Sequence, residues 1–197
     1  MSPKAFTEEE KEIVRGRLKE SALKYLATTG IKKTTVEELA RAAGVSKGAF
    51  YLFYDSKELL FLDALEDVQA KMHEEIIAGM QKYDDKKQGF VSVVSDMYRH
   101  FATNTWMLKL MDDEYEILMR RVPKERIAAH IAMDDASTKR MTEVIAGLSI
   151  DPEKISAIMR MLFMCTLHRE EVGPLADDAF LFMLEAVANK IFTGEQQ

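Results

Sequence analysis

The sequence is poor in the residues that build disulfide-rich, membrane-spanning or turn-dense proteins. Its 197 residues include one cysteine, Cys165, so neither a disulfide nor a thiolate metal cluster forms within the chain. Four prolines and nine glycines are too few for a collagen-like, linker-rich or turn-dense all-β chain. No run of about 18 apolar residues occurs, so we expect no membrane partner. The single cysteine and the polar N-terminus favour a cytoplasmic protein.

Charge is unevenly distributed along the chain. Residues 1–60 contain 11 Lys and Arg against 9 Asp and Glu, whereas residues 61–197 contain 16 against 24. The net charge of -6 argues against non-specific nucleic-acid binding by the whole surface. The methionines lie almost entirely in the second part. This distribution indicates a small, neutral-to-basic N-terminal part and a large, acidic, methionine-rich remainder.

Helical periodicity and capping signals run through almost the whole chain. Capping boxes begin helices at Thr7 and Thr35, and Asp151 followed by Pro152 begins another. Gly30 suits the left-handed residue that closes a helix. No convincing period-2 strand appears. The sequence therefore predicts an all-α protein of about nine helices. The first lies between Thr7 and Gly30, and the others lie near 35–42, 46–53, 56–81, 88–104, 106–121, 124–147, 151–170 and 175–193.

Residues 34–60 carry the most specific pattern in the sequence. A capped helix over 35–42, a sharp turn at Gly44 and a short helix over 46–53 predict a helix-turn-helix. In this motif the second helix enters the major groove of DNA. When the apolar side chains pack together, one side of that helix faces outward. This outward side consists of Lys47, Gly48, Ala49, Tyr51 and Leu52.

The same stretch resembles the DNA-binding motif of the TetR family of bacterial transcriptional regulators. The matching residues are Thr34-Thr35, Leu39-Ala40, Ala43-Gly44-Val45-Ser46, Gly48, Tyr51, and Lys57 followed by Leu60. The resemblance implies an N-terminal three-helix bundle that binds DNA, over residues 1–55. It also implies a C-terminal helical ligand-binding and dimerisation domain, over residues 56–197.

The resemblance assigns roles to individual residues of the motif. Thr35 would cap its helix and touch a phosphate, and Lys57 would meet a phosphate at the start of the long helix. The family often has His-Phe where this chain has Phe53-Tyr54. Tyr54 therefore either supplies a hydroxyl to a phosphate or packs in the core. The set implied to bind double-stranded DNA is Thr35, Ser46, Lys47, Gly48, Ala49, Tyr51, Leu52, Tyr54 and Lys57.

A single DNA-binding domain of this size buries too little surface for tight specific binding, so we expect a homodimer that binds a palindrome. The helices over 151–170 and 175–193 are apolar on most of their faces. A helix of this kind is either central to a core or shared with a partner. The resemblance implies that they form a dimer interface, and a core within one chain is the alternative. The candidate interface residues are Ile158, Leu162, Phe180, Met183, Leu184 and Val187.

The middle helices are the candidate pocket for a small hydrophobic ligand. An apolar stripe between 106 and 122 includes Glu114, whose carboxylate either lies at the edge of the stripe near an arginine or faces a polar group of a ligand, which would then be cationic. Methionine suits irregular cavities because its side chain is flexible, although such a stripe also fits an ordinary core. The candidate pocket residues are Met97, Phe101, Trp106, Met111, Glu114, Tyr115, Met133 and Met141.

Catalytic and metal-binding constellations are not evident in the sequence. The four histidines do not have metal-ligand spacing, and His168 with Cys165 fits buried core packing. We therefore expect no enzyme activity, no metal and no cofactor. The sequence predicts a ligand-responsive repressor that binds a palindromic operator as a dimer and is released by a small hydrophobic molecule. The alternative is an all-α carrier or sensor that does not bind DNA.

Overall fold

Helices are the regular elements of the part of the chain that the structure describes. This computed structural model describes residues 6–103, 114–144 and 150–192. Within these ranges the all-α prediction is confirmed. The helices are α1 (Glu8–Thr28), α2 (Val36–Ala42), α3 (Lys47–Phe50), α4 (Lys57–Met80), α5 (Lys86–Thr103), α6 (Tyr115–Arg121), α7 (Lys124–Val144), α8 (Pro152–Leu167), α9 (Arg169–Val172) and α10 (Ala176–Ile191).

One helix predicted from the sequence is divided in the structure. The predicted helix over 151–170 ends at Leu167, and the four-residue helix α9 follows it. The division falls at His168, whose backbone angles (φ -99°, ψ 20°) depart from helical values. The predicted helix over 106–121 is described only in its second part, as α6. A stop at Gly147 lies outside the described residues.

Local signals in the sequence have the predicted geometry. The Thr7 side chain accepts a hydrogen bond from the Glu10 N–H at 3.2 Å, and the Glu10 carboxylate accepts from the Thr7 N–H at 2.8 Å. Asp151 caps α8 by accepting from the Glu153 N–H at 2.9 Å. Gly30 follows α1 with a φ of +83°, as a left-handed closing residue should.

The chain divides into two compact units. The first comprises described residues 6–68 and 114–124, and the second comprises 69–103, 125–144 and 150–192. Helix α4 contributes to both units, and α6 belongs to the first. A domain boundary at residues 55 and 56 therefore stays a prediction. Among the described helices, none has the length and apolar content needed to span a membrane.

The first unit is built on α1, α2 and α3. Helix α1 packs against α2, and α2 packs against α3. Ser21 of α1 is buried, and its hydroxyl donates to the Leu18 carbonyl at 2.7 Å. Helix α6 is tied to the first turn of α4 by Arg121, which donates to Glu58 at 3.0 Å. The buried apolar side chains of this unit include Val14, Leu18, Leu26, Ile31, Leu39, Phe50, Leu60, Phe61 and Leu118.

The second unit has a separate apolar core. Tyr98 of α5 stacks on Phe180 of α10, with ring centroids 3.9 Å apart. Its hydroxyl donates to Asp177, which also accepts from Arg169 at 2.8 Å. These contacts hold α9 and α10 against α5. The buried core consists of Ile76, Met80, Phe90, Val94, Tyr98, Met141, Leu162, Phe180, Leu184, Ala188 and Ile191.

The buried core contains three of the six residues that were predicted to form the dimer interface. Leu162, Phe180 and Leu184 are at most 6% exposed and pack within their own chain, so their side chains are not a surface for a partner. Ile158 and Val187 are half-buried against the same core, and Met183 is 39% exposed. The prediction failed for the three buried residues because helices that are apolar on most faces do not reveal which face points inward.

A polar cluster also lies inside the second unit. The buried Asp134 carboxylate of α7 accepts from Gln69 at 2.8 Å and from Arg160 at 3.1 Å. The Nε2 atom of His73 lies 3.7 Å from the same carboxylate. The cluster therefore connects the second half of α4 to α7 and α8 through charged and polar groups.

His73 makes the stability of the fold dependent on pH. Burial lowers the pKa of His73, and Arg140 lowers it further, although Asp134 and Glu74 oppose this shift. In the unfolded chain a histidine titrates near 6.5. Between the two pKa values the unfolded chain binds more protons, so acidification below about pH 6.5 favours unfolding.

We therefore expect His73→Gln to reduce the loss of unfolding free energy between pH 7.5 and pH 5.5. Urea denaturation followed by circular dichroism at both pH values measures this loss. His100→Gln is the matched control, because His100 is exposed on α5. An equal pH dependence in the wild type and the His73 variant would contradict the assignment.

Candidate nucleic-acid interface

Helices α2 and α3 and the turn between them have helix-turn-helix geometry. Thr35 caps α2, accepting from the Glu38 N–H at 3.3 Å while the Glu38 carboxylate accepts from the Thr35 N–H at 2.8 Å. Gly44 makes the turn with a φ of +75°, a conformation that glycine adopts without steric cost. Ser46 then caps α3 by accepting from the Ala49 N–H at 3.1 Å. The predicted motif is thus confirmed in its local structure.

The side of α3 that was predicted to face outward is largely accessible. Phe50 is fully buried and anchors the helix, and its ring contacts Tyr51 edge to face at 5.4 Å. Lys47 and Gly48 are exposed, whereas Ala49 is half-buried. Tyr51 is 48% exposed and Leu52 is 73% exposed, although the helix itself ends at Phe50 and continues as a turn. This face can therefore approach a nucleic acid.

A groove of about 340 Å³ runs beside this face in the first unit. Two exposed lysines, Lys32 and Lys33, contribute positive charge to it, and Tyr51 contributes a hydroxyl. Such donors bind phosphate oxygens without reading sequence. The Thr35 hydroxyl donates to the Glu38 carboxylate at 2.8 Å, so the expected phosphate contact of Thr35 is corrected to a capping role. The groove is lined by Lys32, Lys33, Thr34, Thr35, Val36, Tyr51, Asp55, Ser56, Lys57 and Glu58. The arrangement suits a DNA backbone next to an inserted α3.

Lys57 has a structural role that the sequence did not predict. Its ammonium group donates to the Ile31 carbonyl at 2.7 Å and to the Thr34 carbonyl at 2.6 Å, with the Lys32 carbonyl 3.4 Å away. An ammonium group has three N–H donors, and all three point at this turn. The structure therefore corrects the expected phosphate contact: Lys57 holds the turn that carries Lys32 and Lys33.

Tyr54 is also corrected as a DNA contact. It is 9% exposed, and its hydroxyl donates to the Asp63 carboxylate at 2.6 Å. Burial, followed by this hydrogen bond, raises the pKa of Tyr54 well above its ordinary value. Of the two alternatives, core packing is the one that the structure shows. Phe53 packs edge to face against Phe6 at 5.6 Å and offers no hydrogen bond to a phosphate.

Lys47 is paired with an acidic residue of the neighbouring helix. Its Nζ atom lies 2.5 Å from Oε1 of Glu37, and both side chains are more than half exposed. The hydrogen bond to Lys47 lowers the pKa of Glu37, and the same bond raises the pKa of Lys47. Both groups are therefore charged at neutral pH. The sequence singled out Lys47 but gave no sign of this partner, because the two residues are ten positions apart on different helices.

The described candidate ligand residues are divided between the two units. Glu114 accepts a hydrogen bond from the Lys32 N–H at 2.9 Å in the first unit, a partner that neither alternative named. Tyr115 is half-buried in that unit, and Met133 is 38% exposed on α7. Trp106 and Met111 lie outside the described residues. In the second unit, Met97 is half-buried, and Phe101 and Met141 are buried.

Cys165 and His168 are likewise not core residues. Both are exposed, and the His168 ring contacts the Glu171 carboxylate at 3.1 Å. The interpretation as buried packing is wrong, because this side of α8 faces away from the apolar core of its own chain.

Comparisons with known proteins agree with the geometry of the first unit. The family model described as "Bacterial regulatory proteins, tetR family" matches residues 19–64. The chain is 33% identical over 120 residues to the uncharacterized HTH-type transcriptional regulator YuxN of Bacillus subtilis. That match covers 57% of this chain and 41% of the relative, so the chain spans less than half the length of this relative.

Two solved structures share the fold over nearly the whole chain. A TetR-family transcriptional regulator from Pectobacterium atrosepticum has a TM-score of 0.66 at 19% identity, covering 94% of this chain and 95% of that one. The TetR-family repressor FadR of Thermus thermophilus, solved with lauroyl-CoA, has a TM-score of 0.63 at 19% identity. That match covers 93% of this chain and 95% of the other. At these identities the similarity shows the fold alone.

Proposed function

We propose that the chain, whose residues 19–64 match the TetR family model, is a TetR-family repressor that binds a palindromic operator as a homodimer and is released by a small hydrophobic ligand. Regulators of this family are not enzymes. The observation that carries the DNA-binding part is the exposed face of α3, with Lys47, Tyr51 and Leu52 accessible beside a groove that contains Lys32 and Lys33.

The face of α3 suggests how the operator is read. Leu52 and Ala49 offer apolar contact of the kind made with thymine methyl groups, whereas Lys47 and Tyr51 offer hydrogen bonds to base edges. Lys32 and Lys33 supply phosphate contacts that fix the register of α3 in the major groove. Because α3 has so few polar groups, the protein gains further specificity from the shape of the DNA.

The dimer is supported by apolar side chains that the second unit leaves exposed. On α10, Phe182 is 75% exposed and Met183 is 39% exposed, and on α8, Met161 and Met164 are 68% and 49% exposed. The two helices pack against each other. Exposed apolar residues concentrated on adjacent helices are typical of an interaction surface. A two-fold partner would cover them and place two reading helices on one operator.

The ligand is proposed to be hydrophobic and to bind in the second unit near Met97, Phe101 and Met141. The solved FadR with lauroyl-CoA supports an acyl chain as one candidate. A cationic ligand loses its support, because the Glu114 carboxylate is engaged by the Lys32 N–H. A ligand that binds one arrangement of the dimer better shifts the population toward it. The coupling is reciprocal, so operator DNA must weaken ligand binding by the same factor.

The double variant Tyr51→Ala, Leu52→Ala tests the DNA-binding part. Gel shifts with DNA from upstream of the protein's own gene should show affinity reduced by at least about thirtyfold, since each lost base contact costs roughly 1–3 kcal/mol and at least two are lost. The control is Ile13→Ala, which also truncates an exposed apolar side chain of the first unit. Unchanged helical content by circular dichroism shows that both variants fold.

The same assay separates the proposal from its alternative. A repressor shows affinity that falls steeply as salt rises, because phosphate contacts release counterions. A carrier or sensor without DNA binding shows no salt-dependent affinity for any duplex. Equal binding by the double variant and the Ile13→Ala control would contradict the assignment of α3 as the reading helix.

A further inference from the structure

The charge on the reading helix is balanced by one acidic side chain of α2. We infer that Glu37 is a specificity-determining residue, which holds Lys47 and so weakens binding of α3 to the phosphates of unrelated DNA. The inference rests on the proposed DNA binding and adds to it a residue whose effect is to lower affinity.

The positions of the two residues make this pair effective. Glu37 lies in the first turn of α2 and Lys47 in the first turn of α3, and the 2.5 Å contact bridges the two helices. The other acidic residue of that turn, Glu38, is occupied by the capping box with Thr35. Glu37 is therefore the carboxylate of this turn that reaches α3.

The pair removes most of the positive charge of the reading face. Lys47 is the only basic residue between Ser46 and Ser56. The other exposed groups of that face, on Gly48, Tyr51 and Leu52, are uncharged. With Glu37 beside Lys47, the face of α3 is close to neutral and attracts phosphates weakly.

Specific and non-specific contacts respond differently to this balance. Non-specific binding depends almost entirely on charge attraction to phosphates, which the Glu37 carboxylate opposes. A base edge presents neutral acceptors, and the Lys47 ammonium keeps two further N–H donors while it contacts Glu37. Glu37 therefore lowers the affinity for unrelated DNA and has little effect on the affinity for the operator. Because an exposed ion pair is weak, its removal leaves the fold unchanged.

The variant Glu37→Gln measures the effect, with Glu20→Gln as the matched control. Glu20 is exposed on α1, outside α2 and α3, and its substitution changes the net charge identically. Fluorescence anisotropy is recorded on a duplex from upstream of the gene and on a duplex of equal length with randomised sequence. Glu37→Gln should bind the randomised duplex about fivefold tighter, and the log–log salt slope of the dimer should steepen by about 1.8, the value of one phosphate contact in each protomer. Binding to the upstream duplex should change less than twofold.

The variants Lys47→Met and Glu37→Gln, Lys47→Met test whether Glu37 acts through Lys47. Without Lys47, removal of the Glu37 charge should leave the salt slope unchanged. Equal tightening with and without Lys47, or equal effects of Glu37→Gln and Glu20→Gln while the wild type binds DNA, would overturn this inference alone. A wild type with no salt-dependent affinity for either duplex would overturn the proposed function as well.

Discussion

Gly30→Ala is expected to lower the free energy of unfolding by about 2–4 kcal/mol, which is roughly 5–15 °C in Tm for a chain of this size. The φ of Gly30 is +83°, where a residue with a Cβ costs about 1–2 kcal/mol. A Cβ built on Gly30 would also overlap the Glu114 carboxylate. That carboxylate accepts from the Lys32 N–H at 2.9 Å and cannot move away without losing a bond worth about 0.5–1.5 kcal/mol. Thermal and urea denaturation measure the change.

Substitutions at two other glycines distinguish the free-energy cost of the backbone conformation from the cost of steric overlap. Gly44→Ala has the same backbone penalty, since its φ is +75°, but a Cβ there meets no atom within 4 Å. Its cost should be about 1–2 kcal/mol. Gly16→Ala lies in open space within α1 and should stabilise the protein by about 0.5–1 kcal/mol. If Gly30→Ala costs no more than Gly44→Ala, the Glu114 carboxylate does not occupy the position described.

The turn between α1 and α2 explains why this site is sensitive. Lys57 donates to carbonyls on one side of the turn, and Glu114 accepts from an amide of the same turn. The positive Lys57 side chain thus satisfies backbone carbonyl oxygens, and the negative Glu114 side chain satisfies a backbone N–H, in a segment that lies outside the helices. Lys32 and Lys33 extend from this turn into the groove. The proposed phosphate contacts are therefore positioned by residues that do not themselves touch DNA.

The sequence predicted the helices and the turn of the helix-turn-helix because the residues that determine them are close together in the chain. The capping box of α2 joins Thr35 and Glu38, which are three positions apart, and the cap of α3 joins Ser46 and Ala49 with the same spacing. Gly44 marks the turn through its own conformational freedom. The TetR resemblance rested on these same residues, so it was specific over a short stretch.

The determinants that the sequence did not reveal are separated along the chain. Lys57 bonds carbonyls 23 and 26 positions earlier, and Glu114 bonds an amide 82 positions earlier. Periodicity placed Glu114 on an apolar stripe and suggested a pocket, although a stripe does not identify what a side chain meets. A basic residue at the start of α4 similarly suggested a phosphate, because spacing alone does not show that its donors are occupied.

Phe182→Arg is expected to weaken self-association by about 10³-fold. On α10, Ala179, Phe182, Met183 and Ala186 are all exposed and recur with the i, i+3, i+4, i+7 spacing of one helix face. In a two-fold interface each substitution occurs twice. Loss of two buried phenylalanines costs about 4 kcal/mol at roughly 2 kcal/mol each, before the repulsion between the two new charges is counted. Sedimentation velocity at micromolar concentration measures the association.

The matched control is Ile131→Arg, which places the same charge on a 47%-exposed apolar site of α7. It should leave both association and folding unchanged. Phe182→Arg should also fold, because its side chain points away from the core that contains Leu184 and Phe180. A monomeric variant presents one reading helix to the operator, so its affinity should fall toward that of a single half-site. A Phe182→Arg protein that still sediments as a dimer would show that α10 does not form the interface and that the exposed apolar face has another partner.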